Sequence, residues 1–216
     1  MELFKTNMEF SIDKIRLHGI LTIPAEARGI VLFAHGSGSG RFSARNQHVA
    51  DILNQAKIAT LLIDLLTHEE EELDLHTQEF RFDIEFLATR LMVATDWILK
   101  QPSTCNLSIG YFGASTGGGA ALFAAAKYSN IKAIVSRGGR PDLAGTALHH
   151  VKTPTLFIVG ACDEVVLEMN QNAMSNLHCV KKLEVIPGAT HLFEEPGTLD
   201  QVAVLAKEWF LHYLSS

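Results

Sequence analysis

Three residues that together can activate a hydroxyl group stand far apart in the chain: Ser115, Asp163 and His191. A serine hydroxyl attacks a carbonyl carbon only when a neighbouring base removes its proton. Histidine can act as that base, while a carboxylate holds the imidazole tautomer and stabilises its charged form. We therefore hypothesise that Ser115 is a nucleophile, His191 its base and Asp163 the supporting acid.

The residues around Ser115 form the pattern G-x-S-x-G at positions 113–117. The apolar run SIGYF precedes this pattern, and the small-residue run TGGGAALFAAAKY follows it. A serine at such a strand-to-helix turn stands above the sheet edge, and the glycines relieve crowding of the neighbouring backbone. The alternative is a glycine-rich turn whose serine only caps the helix. The succession of strand, turn and helix favours the nucleophile.

The acid and the base each follow an apolar run of strand length. Asp163 comes after TLFIVG, and His191 comes after LEVIPG. Ligands of α/β sheets bind beyond the carboxyl ends of the strands, so both side chains are expected on the rim that carries Ser115. Glu164 is the alternative acid. No HExxH or HxH pattern occurs among the histidines, so we predict no metal site and no cofactor.

The glycine-rich loop HGSGSG, residues 35–40, follows the run IVLFA. Glycines let the backbone approach a substrate carbonyl, so the backbone N–H groups of Ser37 and Thr116 are predicted to bind the oxyanion. The loop is not a phosphate-binding motif, because its glycines alternate and no Lys-Ser or Lys-Thr pair follows. His35 is expected to be structural.

Charged residues also occur near the expected site. Arg137 and Arg140 follow a strand end, and one of them could bind a substrate carboxylate or phosphate. The alternative is a salt bridge to a nearby carboxylate (Asp142, Glu194 or Glu195) that fixes the loops. Arg81, at the start of a predicted helix, is a further candidate for substrate binding. The acidic run at residues 68–74 is expected to be a solvated loop or a helix start.

Strand-like and helix-like runs alternate along the chain. The runs VLFA, ATLLID, LSIGYF, KAIV and TLFIVG are almost continuously apolar, as in strands covered on both faces. Residues 8–24 are predicted to form two antiparallel strands with a turn near His18 and Gly19. Helices are predicted near residues 44–56, 80–100, 116–128, 168–177 and 199–214. The predicted fold class is therefore α/β, a doubly wound, mostly parallel sheet with an N-terminal antiparallel hairpin on one edge.

The composition restricts the function classes. The chain has 216 residues, of which 47% are hydrophobic and 19% charged, with a net charge of −6; one domain over residues 1–216 is expected. No basic patch and no run of roughly 18 apolar residues occurs, so neither nucleic acid nor a membrane is expected as a partner. The N-terminal residues lack a secretory-signal pattern, and the three cysteines lack disulfide or zinc spacing. A cytoplasmic location is expected.

With these motifs in order, the chain resembles the α/β-hydrolase superfamily, and within it the dienelactone hydrolase-like family. The phrases LLTHEEEELD, SRGGRPDLAG and GATHLFEEPG are similar to those of a compact subgroup, some members of which are joined to phosphoribosyltransferase domains. The resemblance implies hydrolysis of a small carboxylic ester, thioester or lactone through an acyl-enzyme. Ser115 stands where dienelactone hydrolases carry cysteine, which favours ordinary esters over a dienelactone. Only residues 141–151 stand where many relatives carry a cap, so an open site without a large cap domain is expected.

Two other functions are compatible with the same motifs. A fold does not determine a function, so a non-catalytic binding or scaffold protein is one alternative. An acyltransferase with the same three side chains is the other. A homodimer, through the edge strand or the last helix, is compatible with the sequence but not required by it.

Overall fold

Eight strands form one sheet in the computed structural model, which describes residues 3–12 and 15–215. The strands are β1 (Leu3–Ile12), β2 (Ile15–Pro24), β3 (Ile30–Ala34), β4 (Ala59–Ile63), β5 (Ile109–Ala114), β6 (Ile131–Arg137), β7 (Thr155–Gly160) and β8 (Lys181–Ile186). Their order across the sheet is β1-β2-β4-β3-β5-β6-β7-β8. The pairs β1–β2 and β2–β4 are antiparallel, and all other pairs are parallel. The predicted fold class, with its N-terminal hairpin on one edge, is confirmed.

Helices cover both faces of the sheet. They are α1 (Ala44–Gln55), α2 (His68–Thr77), α3 (Ile84–Lys100), α4 (Thr116–Lys127), α5 (Glu164–Met174) and α6 (Thr198–Leu214), with a 3-10 segment at Pro141–His150. That short segment occupies the position at which many relatives were expected to carry a cap domain. No large cap occurs among the described residues. No described helix is both long and apolar enough to cross a membrane.

The central strands are buried on both faces, which explains their continuous apolar runs. In β3, Ile30, Leu32 and Ala34 pack into a cluster with side chains of α3 and α4. Val31 and Phe33, which point to the opposite face because strand side chains alternate, pack with α1 and α6. Helices on the two faces therefore hold the sheet, and the loops at the carboxyl ends of its strands are free to build a site.

The predicted position of the hairpin turn is wrong. His18 and Gly19 lie inside β2, where they pair with Glu9 and Met8 of β1. Gly19 also pairs with Ile63 of β4. The glycine serves close strand packing, since a Cβ there would lie 3.1 Å from the carbonyl oxygen of Leu62. The described strands end at Ile12 and resume at Ile15, and residues 13 and 14 lie outside the described part.

The start of α3 differs from the prediction. The helix begins at Ile84 rather than near Phe80, because the side chain of Asp83 caps it by accepting a hydrogen bond from the Phe86 N–H at 3.0 Å. Before that cap, the N–H groups of Phe80 and Arg81 donate to the buried carboxylate of Asp74. That carboxylate therefore holds residues 80–83 out of the helix.

Two other helix starts follow from local chemistry. The acidic run forms α2, whose first turn carries a capping box between Thr67 and Glu70. Of the two expectations for this run, a solvated loop or a helix start, the structure has the helix start. α5 begins at Glu164 rather than near residue 168, directly after Asp163 at the N-cap position. The chain therefore needs only residues 161–163 to pass from β7 into α5.

The helix that follows Ser115 packs unusually close to the sheet. A Cβ at Gly117 would lie 2.1 Å from the carbonyl oxygen of Ala34, and a Cβ at Gly113 would lie 2.4 Å from the carbonyl oxygen of Gly117. Both neighbours are backbone atoms that cannot move aside as a side-chain end can. The two glycines of the G-x-S-x-G pattern are therefore required by backbone contact.

We expect Gly117→Ala to lower the free energy of unfolding by about 3 kcal/mol or more, because the added methyl group overlaps the end of β3. Gly197→Ala is the matched control. An added methyl group at Gly197 would meet open space, but the backbone there is left-handed (φ 78°, ψ −4°). This substitution should cost only about 1 kcal/mol. Urea unfolding followed by circular dichroism measures both losses, and equal losses would contradict the close packing of α4.

Candidate active site

Ser115 adopts a backbone conformation that residues other than glycine rarely take. Its φ is 51° and its ψ is −122°, and strained residues of this kind cluster at functional sites. The surrounding backbone holds it there: its N–H donates to the carbonyl of Arg137 at 3.2 Å, and its carbonyl accepts from Gly118 and Arg140 at 2.9 and 3.0 Å. The turn between β5 and α4 therefore presents the serine side chain at the rim of the sheet.

The imidazole of His191 is hydrogen-bonded to the carboxylate of Asp163. The distance between His191 Nδ1 and Asp163 Oδ2 is 2.6 Å, and the carboxylate side chain is largely buried. Nδ1 donates in this bond, so Nε2 of the neutral ring carries the free lone pair. The other acid considered, Glu164, is exposed in the first turn of α5. The loops after β7 and β8 thus bring His191 to Asp163.

Backbone contacts keep the loops after β7 and β8 together. The Cys162 N–H donates to the carbonyl of Ala189 at 2.9 Å. A Cβ at Gly160 would lie 2.3 Å from the same carbonyl oxygen. On the other side, a Cβ at Gly138 would lie 3.5 Å from the His191 ring atoms Cε1 and Nδ1. The imidazole therefore lies between its carboxylate partner and the turn after β6.

Ser115 and His191 line one cavity of about 170 Å³. Its other lining residues are Gly36, Ser37, Ser39, Arg45, Ala114, Arg137 and Leu192. Among the described residues no hydrogen bond joins Ser115 Oγ to the imidazole. Catalytic hydrogen bonds are often long in ligand-free enzymes and tighten when substrate binds. The shared cavity is therefore the observation that relates the two side chains.

The loop after β3 lies directly against the serine. A Cβ at Gly36 would lie 2.9 Å from Ser115 Cβ, and the hydroxyl oxygens of Ser37 and Thr116 are 3.3 Å apart. Thr116 is the first residue of α4, where a backbone N–H has no partner within the helix. In the described part of the chain, neither the Ser37 N–H nor the Thr116 N–H donates a hydrogen bond. The two predicted donors are thus adjacent and free.

His35 fixes this loop from behind. Its Nδ1 lies 2.9 Å from the carbonyl oxygen of Gly36, and its Nε2 accepts a hydrogen bond from the Leu65 N–H at 2.9 Å. Both ring nitrogens are therefore used by backbone groups, which requires a neutral ring protonated on Nδ1. Burial lowers the pKa of His35 below its ordinary value. The expected structural role of His35 is to tie the loop after β3 to the loop after β4.

Two of the three arginines considered for substrate binding are paired with carboxylates. Arg140 makes two hydrogen bonds to Asp142, at 2.9 and 2.7 Å, which is the salt bridge foreseen as the alternative. Arg81 donates to the carboxylate of Asp74 at 2.7 Å and to its carbonyl at 2.8 Å. Arg81 also lines a small cavity behind Ser37 and Thr116.

Arg137 is different, because no described carboxylate lies within 4.0 Å of its guanidinium nitrogens. Only 7% of the residue is exposed, and it lines the cavity of Ser115 and His191. Within the described part of the chain, its guanidinium makes one hydrogen bond, a long contact of 3.5 Å to Asn46 Oδ1. Burial, together with the charge of Arg45, lowers the pKa of Arg137 to about 10.

Arg45 was not predicted from the sequence. This residue lies near the start of α1 and reaches the cavity only because α1 packs beside the carboxyl end of the sheet. Its position shortly after the glycine-rich loop was the only signal in the sequence. Asn46, which contacts Arg137 from the same helix, was missed for the same reason.

The family follows from a comparison with known proteins. Residues 21–212 match the model of the dienelactone hydrolase family. The chain belongs to the dienelactone hydrolase family. The predicted resemblance is therefore confirmed, and this family member has the α/β-hydrolase fold.

Relatives of this dienelactone hydrolase family member include a solved structure, the dienelactone hydrolase from Anabaena variabilis. It is 58% identical, has a TM-score of 0.96, and the alignment covers 99% of this chain and 100% of that one. An esterase from Pyrococcus furiosus is 16% identical with a TM-score of 0.80, over 98% of this chain and 93% of that one. At that identity the likeness concerns the fold alone.

Two Mycobacterium tuberculosis proteins, each named "Putative phosphoribosyl transferase", are also similar to this chain. Each is 58% identical over 197 residues, which is 91% of this chain and 44% of the relative. The chain thus spans about half the length of the curated relatives it matches.

The buried neutral state of His35 predicts a pH dependence. The pKa of His35 is lower in the folded state than in the unfolded state, so the unfolded state binds more protons below pH about 6.5. Its contribution to stability is present above that pH and is lost as the pH falls towards the folded-state pKa. When the pH is lowered from about 7.5 to about 5.5, the free energy of unfolding of the wild type should fall. That of His35→Gln should fall by about 1 kcal/mol less, because the variant lacks the imidazole. Urea unfolding at both pH values measures this.

The control for this experiment is His76→Gln, which changes an exposed histidine of α2. It controls for the loss of a histidine at a site without the buried backbone contacts of His35. An unchanged pH dependence of His35→Gln would contradict the assignment of a buried, neutral ring.

Proposed function

We propose that this hydrolase cleaves a carboxylic ester, thioester or lactone through an acyl-enzyme on Ser115, with His191 as base and Asp163 as supporting acid. One observation carries the proposal: the 2.6 Å bond between His191 and Asp163 stands at the cavity whose wall carries Ser115. The strained conformation of Ser115 supports it, since such strain persists at functional sites.

The reaction has two halves. His191 Nε2 takes the proton of the Ser115 hydroxyl as its oxygen attacks the substrate carbonyl, and then gives that proton to the leaving alcohol or thiol. Water next attacks the acyl-enzyme while His191 accepts its proton. The imidazolium returns that proton to Ser115 Oγ as the bond between Oγ and the acyl carbon breaks, and the acid product leaves. Asp163 holds the imidazole orientation and stabilises its charged form in both halves.

The oxyanion of each tetrahedral intermediate would accept hydrogen bonds from the Ser37 and Thr116 N–H groups. Both N–H groups lie beside Ser115 without a described hydrogen-bond partner. Each such donor typically contributes about 2.7–4 kcal/mol to transition-state stabilisation. Because both donors and the base are groups of the chain itself, the proposed reaction needs no cofactor.

The size of the site restricts the substrate. The cavity directly around Ser115, about 170 Å³, is smaller than the roughly 300–1,000 Å³ of pockets that enclose drug-sized ligands; a cleft of about 740 Å³ adjoins it at Ser37, Ser39 and Arg45. The short segment Pro141–His150 adds no apolar cover of the kind that long acyl chains need. We therefore propose a small molecule with a short acyl group as substrate.

We expect Ser115→Ala to lower the rate of short p-nitrophenyl ester hydrolysis by at least about 10³-fold, because no other group can form the acyl-enzyme. A fluorophosphonate probe should label the wild type at Ser115 and leave the variant unlabelled. Mass spectrometry of the labelled peptide measures this directly.

The matched control is Ser39→Ala, which removes another hydroxyl from the same cavity. It should keep both labelling and turnover. Wild-type protein that neither turns over esters nor reacts with the probe would favour the non-catalytic alternative instead.

The two neighbouring acids give a separate prediction. Asp163→Asn should lower kcat by about 10⁴-fold, because the amide stabilises the wrong imidazole tautomer. Glu164→Gln removes an equal charge from the adjacent, exposed residue and should leave kcat within about twofold. Steady-state kinetics on both variants tests the assignment, and a larger loss in Glu164→Gln would reverse it.

A further inference from the structure

One buried charge in the cavity has no counter-charge among the described residues. Among the most buried arginines, Arg90 is 4% exposed and donates to Glu70 at 2.7 Å. Arg137 is 7% exposed, yet no described carboxylate pairs with it and its Nε has no hydrogen-bond partner. Buried charges in proteins are normally paired, because an unpaired one costs several kcal/mol.

A second guanidinium increases this excess of positive charge. Arg45 lines the same cavity, and its Nε is likewise buried without a hydrogen-bond partner. In the part of the chain that the structure describes, its one carboxylate contact is from Nη1 to Glu194 Oε1 at 3.2 Å, and that glutamate side chain is 65% exposed. Arg45 and Arg137 line the same cavity, and after burial the charge of Arg45 is the second cause that lowers the pKa of Arg137. Like charges so placed repel each other unless an anion lies between or beside them.

The neighbouring arginines show what a satisfied guanidinium looks like in this chain. Arg41, Arg81 and Arg140 are each held by an aspartate, respectively Asp64, Asp74 and Asp142. The fold therefore supplies carboxylates to these arginines at the rim. It leaves Arg137 without one at the wall that Ser115 and His191 share.

We propose that Arg137 and Arg45 form an anion subsite that binds a carboxylate or phosphate group of the substrate beside Ser115. This inference rests on the proposed function and adds the substrate class, a small ester that carries a negative charge. Guanidinium groups suit both anions because two of their N–H groups can donate side by side to two oxygens of a carboxylate or of a phosphate. Both arginines line the same cavity as Ser115, so the anionic group would lie close to the scissile carbonyl.

Binding is tested without catalysis. Ser115→Ala is titrated calorimetrically with succinate, inorganic phosphate and, as the neutral comparison, succinamide. We expect saturable binding of at least one anion and none of succinamide. Adding Arg45→Gln or Arg137→Lys should weaken that binding roughly 10- to 100-fold, the usual effect of losing a hydrogen bond between charged groups. The preferred anion distinguishes a carboxylate from a phosphate substrate.

Two charge controls accompany the titration. Arg16→Gln removes an exposed guanidinium from β2 and should leave anion binding unchanged. Glu194→Gln removes the carboxylate that competes for Arg45 and should strengthen anion binding. Equal weakening by Arg16→Gln and Arg45→Gln would show a general charge effect and overturn the subsite.

Turnover supplies the second test. The kcat/KM of mono-p-nitrophenyl succinate is compared with that of p-nitrophenyl butyrate. The wild type should prefer the anionic ester, and Arg45→Gln should lower the ratio of the two kcat/KM values roughly 10- to 100-fold. Because Arg45 is partly exposed, this variant should fold even where a change at buried Arg137 does not.

The outcomes separate the two proposals. Ser115-dependent turnover of neutral esters, with no anion preference and no anion binding, overturns the subsite and leaves the proposed function standing. Anion binding by Ser115→Ala that depends on Arg45, in a protein that hydrolyses no ester, supports the subsite and overturns the proposed function.

Discussion

Close contact between backbones at the carboxyl edge of the sheet is the constraint on which the site depends. Gly117 of α4 lies against the end of β3, Gly36 lies against Ser115, and Gly160 lies against the loop after β8. No side chain larger than hydrogen fits at these contacts. Because three loops are held this closely, Ser115 stays in a conformation that an isolated turn would not keep.

The same contacts bury polar groups away from water. Most of these groups form hydrogen bonds with nearby backbone or side-chain groups. His35 uses both ring nitrogens on backbone groups, so the loop after β3 is fixed without a charge. Asp163 is paired with His191, and Asp74 accepts from both backbone and guanidinium donors. Arg137 is the exception among these buried groups. Its excess charge faces the cavity in which substrate would bind, which is where an unpaired charge can serve recognition.

Much of the fold could be predicted because it depends on patterns that are local in the chain. Strands covered on both faces have continuous apolar runs, and the strands β3 to β7 were found in this way. The errors have local causes too. Gly19 suggested a turn but serves close strand packing, and the start of α3 depends on Asp74, a residue of the preceding helix.

The sequence by itself determined the fold class, the strand-to-helix turn around Ser115 and the positions of Asp163 and His191 after their strands. These features follow from short-range rules of polarity and backbone freedom. Only the tertiary structure decided which carboxylate reaches His191, which arginines are neutralised and that Arg45 joins Arg137 at the cavity. Those pairings depend on distances between side chains from separate elements, and such distances exist only after helices have packed on the sheet.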